Sequence, residues 1–330
     1  MSIRLLVSTT SFLDTPGPHR DRLKELGYKV IPARGPLTEE QLLDIVRDQE
    51  QFDGFLCGED EFSDKVLNAI TPRAKVISKY GVGLDKVNLE IANKLGIKVV
   101  HTPRVNHTTV AELTFGLLIA VTRQIPEHNA DVHAGRWDRR TGVELAGKTL
   151  GVFGLGRVGK EVVKRAMAFG MKVIVFNTNW SSNHSAFVAS LNKIFSDGMF
   201  NEMGPTVEYA DNAEDVLSRS DFVTLHINLS KENRVFLDRA KINACKRGAF
   251  IINVSRGALV DQEALAEAIR RGSIGGYGAD VLDPEPVRAD NPLLGVPGVI
   301  LTPHVASRTY ESVARQGMAA LQNVIDVLGT

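Results

Sequence analysis

TLGVFGLGRVGKEVVKRAMAFG, residues 149–170, decides the fold class. A short β-rich run ends at Gly154, and Val158, Val162, Val163, Ala166 and Met167 follow at helical spacing. Glycines cluster in many turns, so GxGxxG alone is a weak signal; its place between a strand and a helix makes it specific. Gly154 permits a tight turn, Gly156 lets backbone approach a pyrophosphate, and Gly159 brings helix against strand. The first helical residues, Arg157 and Val158, then offer backbone N–H groups and a partial positive charge to phosphates. This turn is the expected grip on a nicotinamide dinucleotide.

Outward from it in both directions, short apolar runs alternate with helix-like segments, the pattern of an α/β protein with parallel sheets covered on both faces. Before it, strands are expected at Arg4–Val7, Lys29–Pro32, Phe52–Cys57, Lys75–Ser78 and Ile97–Val100. Thr38 with Gln41 reads as a capping box, and Ser63 and Asn88 as further helix starts. A long helical pattern over Asn106–Arg123 is followed by the polar stretch HAGRWDRRTGVELAGKT. The second set of strands reads Leu150–Phe153, Lys172–Phe176, Phe222–Leu225, Ala249–Val254, Tyr277–Val281 and Val299–Leu301. Six strands with intervening helices suit a dinucleotide-binding sheet. A last apolar-periodic helix, Tyr310–Leu328, has no strand left to cover there and is expected to return to the first domain.

At 330 residues the chain exceeds what one core usually serves, so two domains are expected. The boundaries read as 1–101 with 304–330 for the substrate domain and 102–303 for the dinucleotide domain. The 39 Lys and Arg balance 39 Asp and Glu, leaving no electrostatic footprint for nucleic acid or an anionic membrane. Cys57 and Cys245 are too few for a disulfide framework and sit in no metal-binding pattern, so no metal is expected. MSIRLLVSTTSFLD reads as a first strand, not a signal peptide, and Leu113–Val121 is about half a membrane span. A cytoplasmic compartment follows as the expectation.

The second strand of an NAD-binding unit should end in a carboxylate for the adenosine ribose, about 20 residues downstream. Counting 177 − 154 gives 23, and the residue there is Asn177. Its amide can bond a ribose hydroxyl but does not repel a 2′-phosphate, which weakens discrimination against NADP. No Lys or Arg occurs from Asn177 through Asn192. NAD is therefore the expected cofactor, with NADP left open.

Ligands of open α/β sheets lie beyond the carboxyl ends of strands, and three charged residues fall there. Arg256 follows FIINVS, Glu285 follows the strand ending near Val281, and His304 follows VILTP. A guanidinium can hold a keto acid by two charge-assisted bonds and polarise its carbonyl. An imidazole can take a hydroxyl proton as hydride leaves, and a neighbouring Glu would orient it. The bland alternatives are a capping Arg, a solvated Glu and a core His.

These stretches together resemble the D-isomer-specific 2-hydroxyacid dehydrogenase family, of the phosphoglycerate dehydrogenase type. KYGVGLDKVN, TPRVNHTTVAELTFGLL, GKTLGVFGLGRVG, NVSRGALVDQEALAEAI, GADVLDPEP and LTPHVAS carry the resemblance over nearly the whole chain. It implies a flavodoxin-like substrate domain beside a Rossmann domain and a catalytic trio of Arg256, Glu285 and His304. It also implies that Asp280 bonds the nicotinamide carboxamide, Val110 packs near the ring and Arg157 lies by the pyrophosphate. His226, just past a strand, joins the cofactor set. The backbone N–H groups of Val82 and Gly83, with Asn106 and Arg256, would receive the substrate carboxylate. A homodimer, and a cleft between domains whose closure excludes water, are further implications.

Three positions depart from the family pattern. Asn177 replaces an acidic residue, Asn228 replaces a proline after His226, and residues 181–206 hold about a dozen extra positions with room for an added helix. The C-terminal regulatory domain of longer phosphoglycerate dehydrogenases is expected to be absent. The expected reaction is hydride transfer between the nicotinamide and a small D-2-hydroxy acid, with 3-phosphoglycerate, glycerate and glycolate all open. Lys79, Arg104, Arg139, Arg140 and Arg308 are candidates for a phosphate pocket. A non-catalytic, corepressor-like dinucleotide sensor remains the alternative from another class, and formate or phosphite oxidation a third.

Overall fold

The computed structural model describes residues 2–48, 51–196 and 204–329. The chain divides into two units, one of residues 1–109 with 307–330 and one of residues 110–306.

In the first unit, β1 (Arg4–Val7), β2 (Lys29–Pro32), β3 (Gly54–Cys57), β4 (Val76–Lys79) and β5 (Lys98–His101) form a parallel sheet in the order β2-β1-β3-β4-β5. β1, β3 and β4 are buried along their whole length, as a sheet covered on both faces requires. The helix starts follow local chemistry. Thr38 N–H donates to Gln41 Oε1 at 3.0 Å and Gln41 N–H returns to Thr38 Oγ1 at 3.3 Å, the reciprocal box that opens Glu39–Asp48. Ser63 and Asn88 cap Asp64–Ile70 and Leu89–Lys94 in the same way. Tyr310–Leu328 lies on this sheet, where Leu321 and Val324 join Leu5, Val7 and Leu56 in one apolar cluster. Ser78 Oγ donates to the Ala320 carbonyl at 2.8 Å and fixes the helix against β4.

The second unit holds β6 (Thr149–Phe153), β7 (Lys172–Phe176), β8 (Val207–Tyr209), β9 (Phe222–Leu225), β10 (Ala249–Asn253), β11 (Ile274–Ala279) and β12 (Val299–Leu301). Their order, β12-β11-β10-β9-β6-β7-β8, reverses direction beside β6, and every pairing is parallel. That reversal is the switch point at which open α/β sheets bind ligands.

Among the described residues the sheet has seven strands, not the six expected. The seventh, β8, is a three-residue edge strand with one buried residue, too short and polar for a period-2 signal. Asn192 secures it: its Nδ2 donates to the Val207 carbonyl and its Oδ1 accepts from Val207 N–H, both at 2.8 Å. Asn192 belongs to Ser182–Ser196, a helix within the surplus segment. Part of that segment, 197–203, lies outside the described residues. The helical pattern over Asn106–Arg123 becomes His107–Thr122, and a separate helix, Ile125–His133, begins after Gln124 turns left-handed at φ 50° ahead of Pro126. Among the described residues no helix is long and apolar enough to cross a membrane.

Candidate active site

The carboxyl edge of the seven-stranded sheet begins at the glycine turn. Gly154 has φ 97°, a conformation costly for any side chain, and a Cβ there would meet the His226 carbonyl oxygen at 2.5 Å. Loops after β6 and β9 therefore touch backbone to backbone. A Cβ on Gly159 would lie 2.0 Å from the Gly154 carbonyl oxygen, so the helix Arg157–Ala168 sits directly on the turn. Gly156 differs, because nothing lies within 4 Å of its Cβ position. The opening faces the start of the helix, with Arg157 exposed and Val158 half-buried as its first residues. This geometry fits a dinucleotide pyrophosphate.

Asn177, one residue past β7, accepts the Leu155 N–H on its Oδ1 at 3.0 Å. The amide oxygen thereby braces the glycine turn. Past β9, His226 Nε2 lies 2.9 Å from Thr224 Oγ1, and burial pushes its imidazole down to about 3. It is neutral in the folded protein at ordinary pH. Asn228, in place of proline, has its carbonyl held by Asn233 Nδ2.

The row continues along the edge. Ser255 Oγ donates to the Ile227 carbonyl at 2.5 Å, joining the loop after β10 to the loop after β9. Arg256 stands next, with Nη1 donating to the Ser255 carbonyl at 2.9 Å. Asn253, fully buried at the end of β10, steadies this bend: its Oδ1 accepts Ser255 N–H at 3.0 Å and its Nδ2 donates to the Arg256 carbonyl at 2.9 Å. Sequence reasoning overlooked Asn253; an amide two residues before a Ser-Arg bend was the available signal. Gly257 packs so closely on Leu282 that a Cβ would fall 2.0 Å from its carbonyl carbon. Leu282 N–H in turn donates to Glu285 Oε1 at 3.0 Å.

Glu285 Oε2 lies 2.7 Å from His304 Nδ1, with the two side chains 28% and 32% exposed. His304 adopts φ 52°, a left-handed conformation that costs a residue with a Cβ about 1 kcal/mol or more. Asp280 holds it there. The Asp280 carbonyl accepts His304 N–H at 2.9 Å, and its carboxylate accepts Thr302 Oγ1 at 2.5 Å, Val305 N–H at 2.8 Å and Ala306 N–H at 2.7 Å. Burial pushes the Asp280 carboxyl above its ordinary range, against the donors that favour its charged form. Val110, 9% exposed on the helix His107–Thr122, joins the core of this unit.

The structure thus brings the sequence-derived catalytic and cofactor residues onto one unit, all but Val110 strung along successive strand ends from Gly154 to His304. Val82, Gly83 and Asn106 belong to the other unit. Val82, 44% exposed, and Gly83, half-buried, follow β4, and Asn106 precedes His107–Thr122. Lys79 behaves unlike a phosphate ligand: its side chain is 2% exposed and its Nζ lies 2.7 Å from Glu59 Oε1. Arg140 pairs with Asp131, and Arg308 with Asp14 at 3.1 Å.

Comparison with known proteins agrees with this geometry. The family model described as D-isomer specific 2-hydroxyacid dehydrogenase, NAD binding domain, matches residues 115–306. A D-3-phosphoglycerate dehydrogenase of Methanocaldococcus jannaschii is 38% identical over 315 residues, covering 94% of this chain and 56% of that protein. The glyoxylate reductase of Thermofilum pendens is 36% identical over 322 residues, covering 95% of this chain and 89% of that one. Among solved structures, the TT0316 protein of Thermus thermophilus superposes with a TM-score of 0.82 at 36% identity, covering 99% of this chain and 97% of that one. With a glycine turn and a Glu-His pair set along one sheet edge, and with these matches, the chain belongs to the D-isomer specific 2-hydroxyacid dehydrogenases, a family of NAD-dependent oxidoreductases.

Proposed function

We propose that this protein transfers hydride between NAD(H) and the 2-carbon of a small D-2-hydroxy acid or 2-keto acid. The observation that carries the reading is the 2.7 Å contact of His304 with Glu285, on a loop clamped by Asp280 and continuous along the sheet edge with the glycine turn. Bound nicotinamide supplies or accepts the hydride. Gly154, Gly156, Arg157, Val158 and Gly159 would hold its pyrophosphate, Asn177 and His226 the adenosine side, and Asp280 and Val110 the nicotinamide.

In reduction, Arg256 holds the keto-acid carboxylate and polarises the carbonyl; the Val82 and Gly83 N–H groups and Asn106 are proposed to bind a carboxylate in their own unit. The His304 imidazole gives its proton to the carbonyl oxygen as hydride reaches carbon, and Glu285 stabilises the imidazolium beforehand. Oxidation runs the same steps backwards. The protein works in a reducing compartment such as the cytoplasm, where Cys57 and Cys245 stay free thiols. A second copy of the chain is the proposed partner.

A matrix of keto acids against NADH and NADPH tests the activity. Turnover of at least one short 2-keto acid is expected; none with any, alongside normal NADH binding, would defeat the reading. Light scattering of the purified chain reads its oligomeric state.

A further inference from the structure

The segment Leu282–Pro286, which carries Glu285, has little means of fixing itself. Pro284 and Pro286 lack an N–H, so two of its five residues donate nothing to a main-chain bond. Its anchors come from other parts of the same unit. Gly257 packs on the Leu282–Asp283 peptide, where a Cβ would fall 2.5 Å from Asp283 N. The Asp283 carbonyl accepts Gln262 Nε2 at 2.7 Å, and its carboxylate pairs with Arg234 Nη2 at 2.7 Å. The Arg234 pair is 58% and 38% exposed and screened by salt, so it constrains little.

The Gln262 bond is of another kind. Gln262 is the first residue of the helix Gln262–Arg270, whose start is capped by Asp261 Oδ1 accepting Ala264 N–H at 2.9 Å. Its amide is oriented by a chain of bonds. Leu293 N–H donates to Asn291 Oδ1 at 3.1 Å, which directs Asn291 Nδ2 to Gln262 Oε1, also at 3.1 Å. The donor end of Gln262 is thereby left for the Asp283 carbonyl. A primary amide supplies donor and acceptor in one planar group, whereas a carboxylate supplies acceptors only. Two residues beyond Asp283, Glu285 Oε1 takes Leu282 N–H at 3.0 Å, which leaves Oε2 for His304 Nδ1 at 2.7 Å.

We propose that Gln262 is a positioning residue for proton transfer. It fixes the Asp283 carbonyl, and through it the approach of Glu285 to His304, without bonding to either of the pair. Asn291 sets the direction of the bond. The inference rests on Glu285 and His304 as the proton-transfer pair. A loosened Asp283 carbonyl lets Glu285 drift, and a misplacement of about 1 Å can cost about 10²-fold in rate.

The test is turnover of a short 2-keto acid with NADH, counted per NADH-binding site on the full chain. Gln262→Met fills similar space and removes both bonds; Gln262→Glu keeps the acceptor for Asn291 and removes the donor. Each should lower kcat by about tenfold or more, with NADH affinity and keto-acid KM within about threefold of wild type. A residue serving only the fold would lower the melting temperature and leave kcat per binding site unchanged. In the Glu285→Gln background, Gln262→Met should cost no more than about threefold, because the group it positions is already altered. Should Q262M fail to fold, Q262E carries the same comparisons. Wild-type kcat in folded Q262M or Q262E, or a full tenfold loss repeated in the Glu285→Gln background, would overturn the proposal while leaving hydride transfer intact. Wild-type turnover by Glu285→Gln alone would bring down the proton-transfer reading and this inference with it.

Discussion

His304 Nδ1 and Glu285 Oε2 stand 2.7 Å apart although 19 residues separate them, and Asp280 binds the backbone on both sides of the imidazole. Replacing His304 by Gln removes the proton donor and should lower keto-acid kcat by about 10² to 10⁴. Glu285→Gln keeps a hydrogen-bond acceptor and should cost less. NADH affinity, read by fluorescence quenching, should stay within a few-fold for both. Equal loss of NADH affinity and turnover would show that the pair serves binding and not proton transfer.

The glycine turn gives two variants with opposite signatures. At Gly156 a methyl would project into open space, so Gly156→Ala should melt within about 2 °C of wild type while losing roughly 10-fold or more in NADH affinity. At Gly159 the methyl would strike the Gly154 carbonyl oxygen, and Gly159→Ala should lose about 1–3 kcal/mol or more of stability. Thermal melts with and without NADH distinguish them; unaltered NADH binding by Gly156→Ala would refute the pyrophosphate assignment.

Asn177 braces the turn through Oδ1 and carries no charge to repel a 2′-phosphate. Asn177→Asp keeps an acceptor for the Leu155 N–H and adds that charge. Its NADH to NADPH ratio of kcat/KM should rise by about tenfold or more, the effect of one like-charge contact. An unchanged ratio would place the 2′-hydroxyl elsewhere.

His226 ties stability to pH. Its imidazole is pushed from 6.5 down to about 3 in the fold, so between those values the unfolded chain binds a proton that the folded chain does not. The stabilisation is full above pH 6.5 and declines on acidification, by at most about 1.4 kcal/mol per pH unit from this group. Melting temperatures from about pH 7.5 to about 4.5 should fall less steeply for His226→Gln than for wild type. Parallel curves would mean that other groups set the acid limit.

Much of this protein was legible in its residues because the signals are local. The Thr38–Gln41 box, the Ser63 and Asn88 caps and the GLGRVG turn each act across a few positions, so side-chain chemistry alone specifies them. Strand ends were legible too, and with them the candidates Arg256, Glu285 and His304. β8 escaped because three residues are too few to show a pattern, and its ladder with β7 is backed by Asn192, fifteen positions away.

Tertiary structure alone decided which charges face which. In the sequence Lys79 looked like an anion ligand, whereas pairing of β3 with β4 delivers it to Glu59. Asp280 was expected to serve the cofactor, whereas the adjacency of β11 and β12 also makes it the clamp on the His304 loop. The physical reason is the same in both cases. A residue type states what a group can bond, but strand order and register state what lies within about 3 Å of it, and that distance sets its charge, orientation and use.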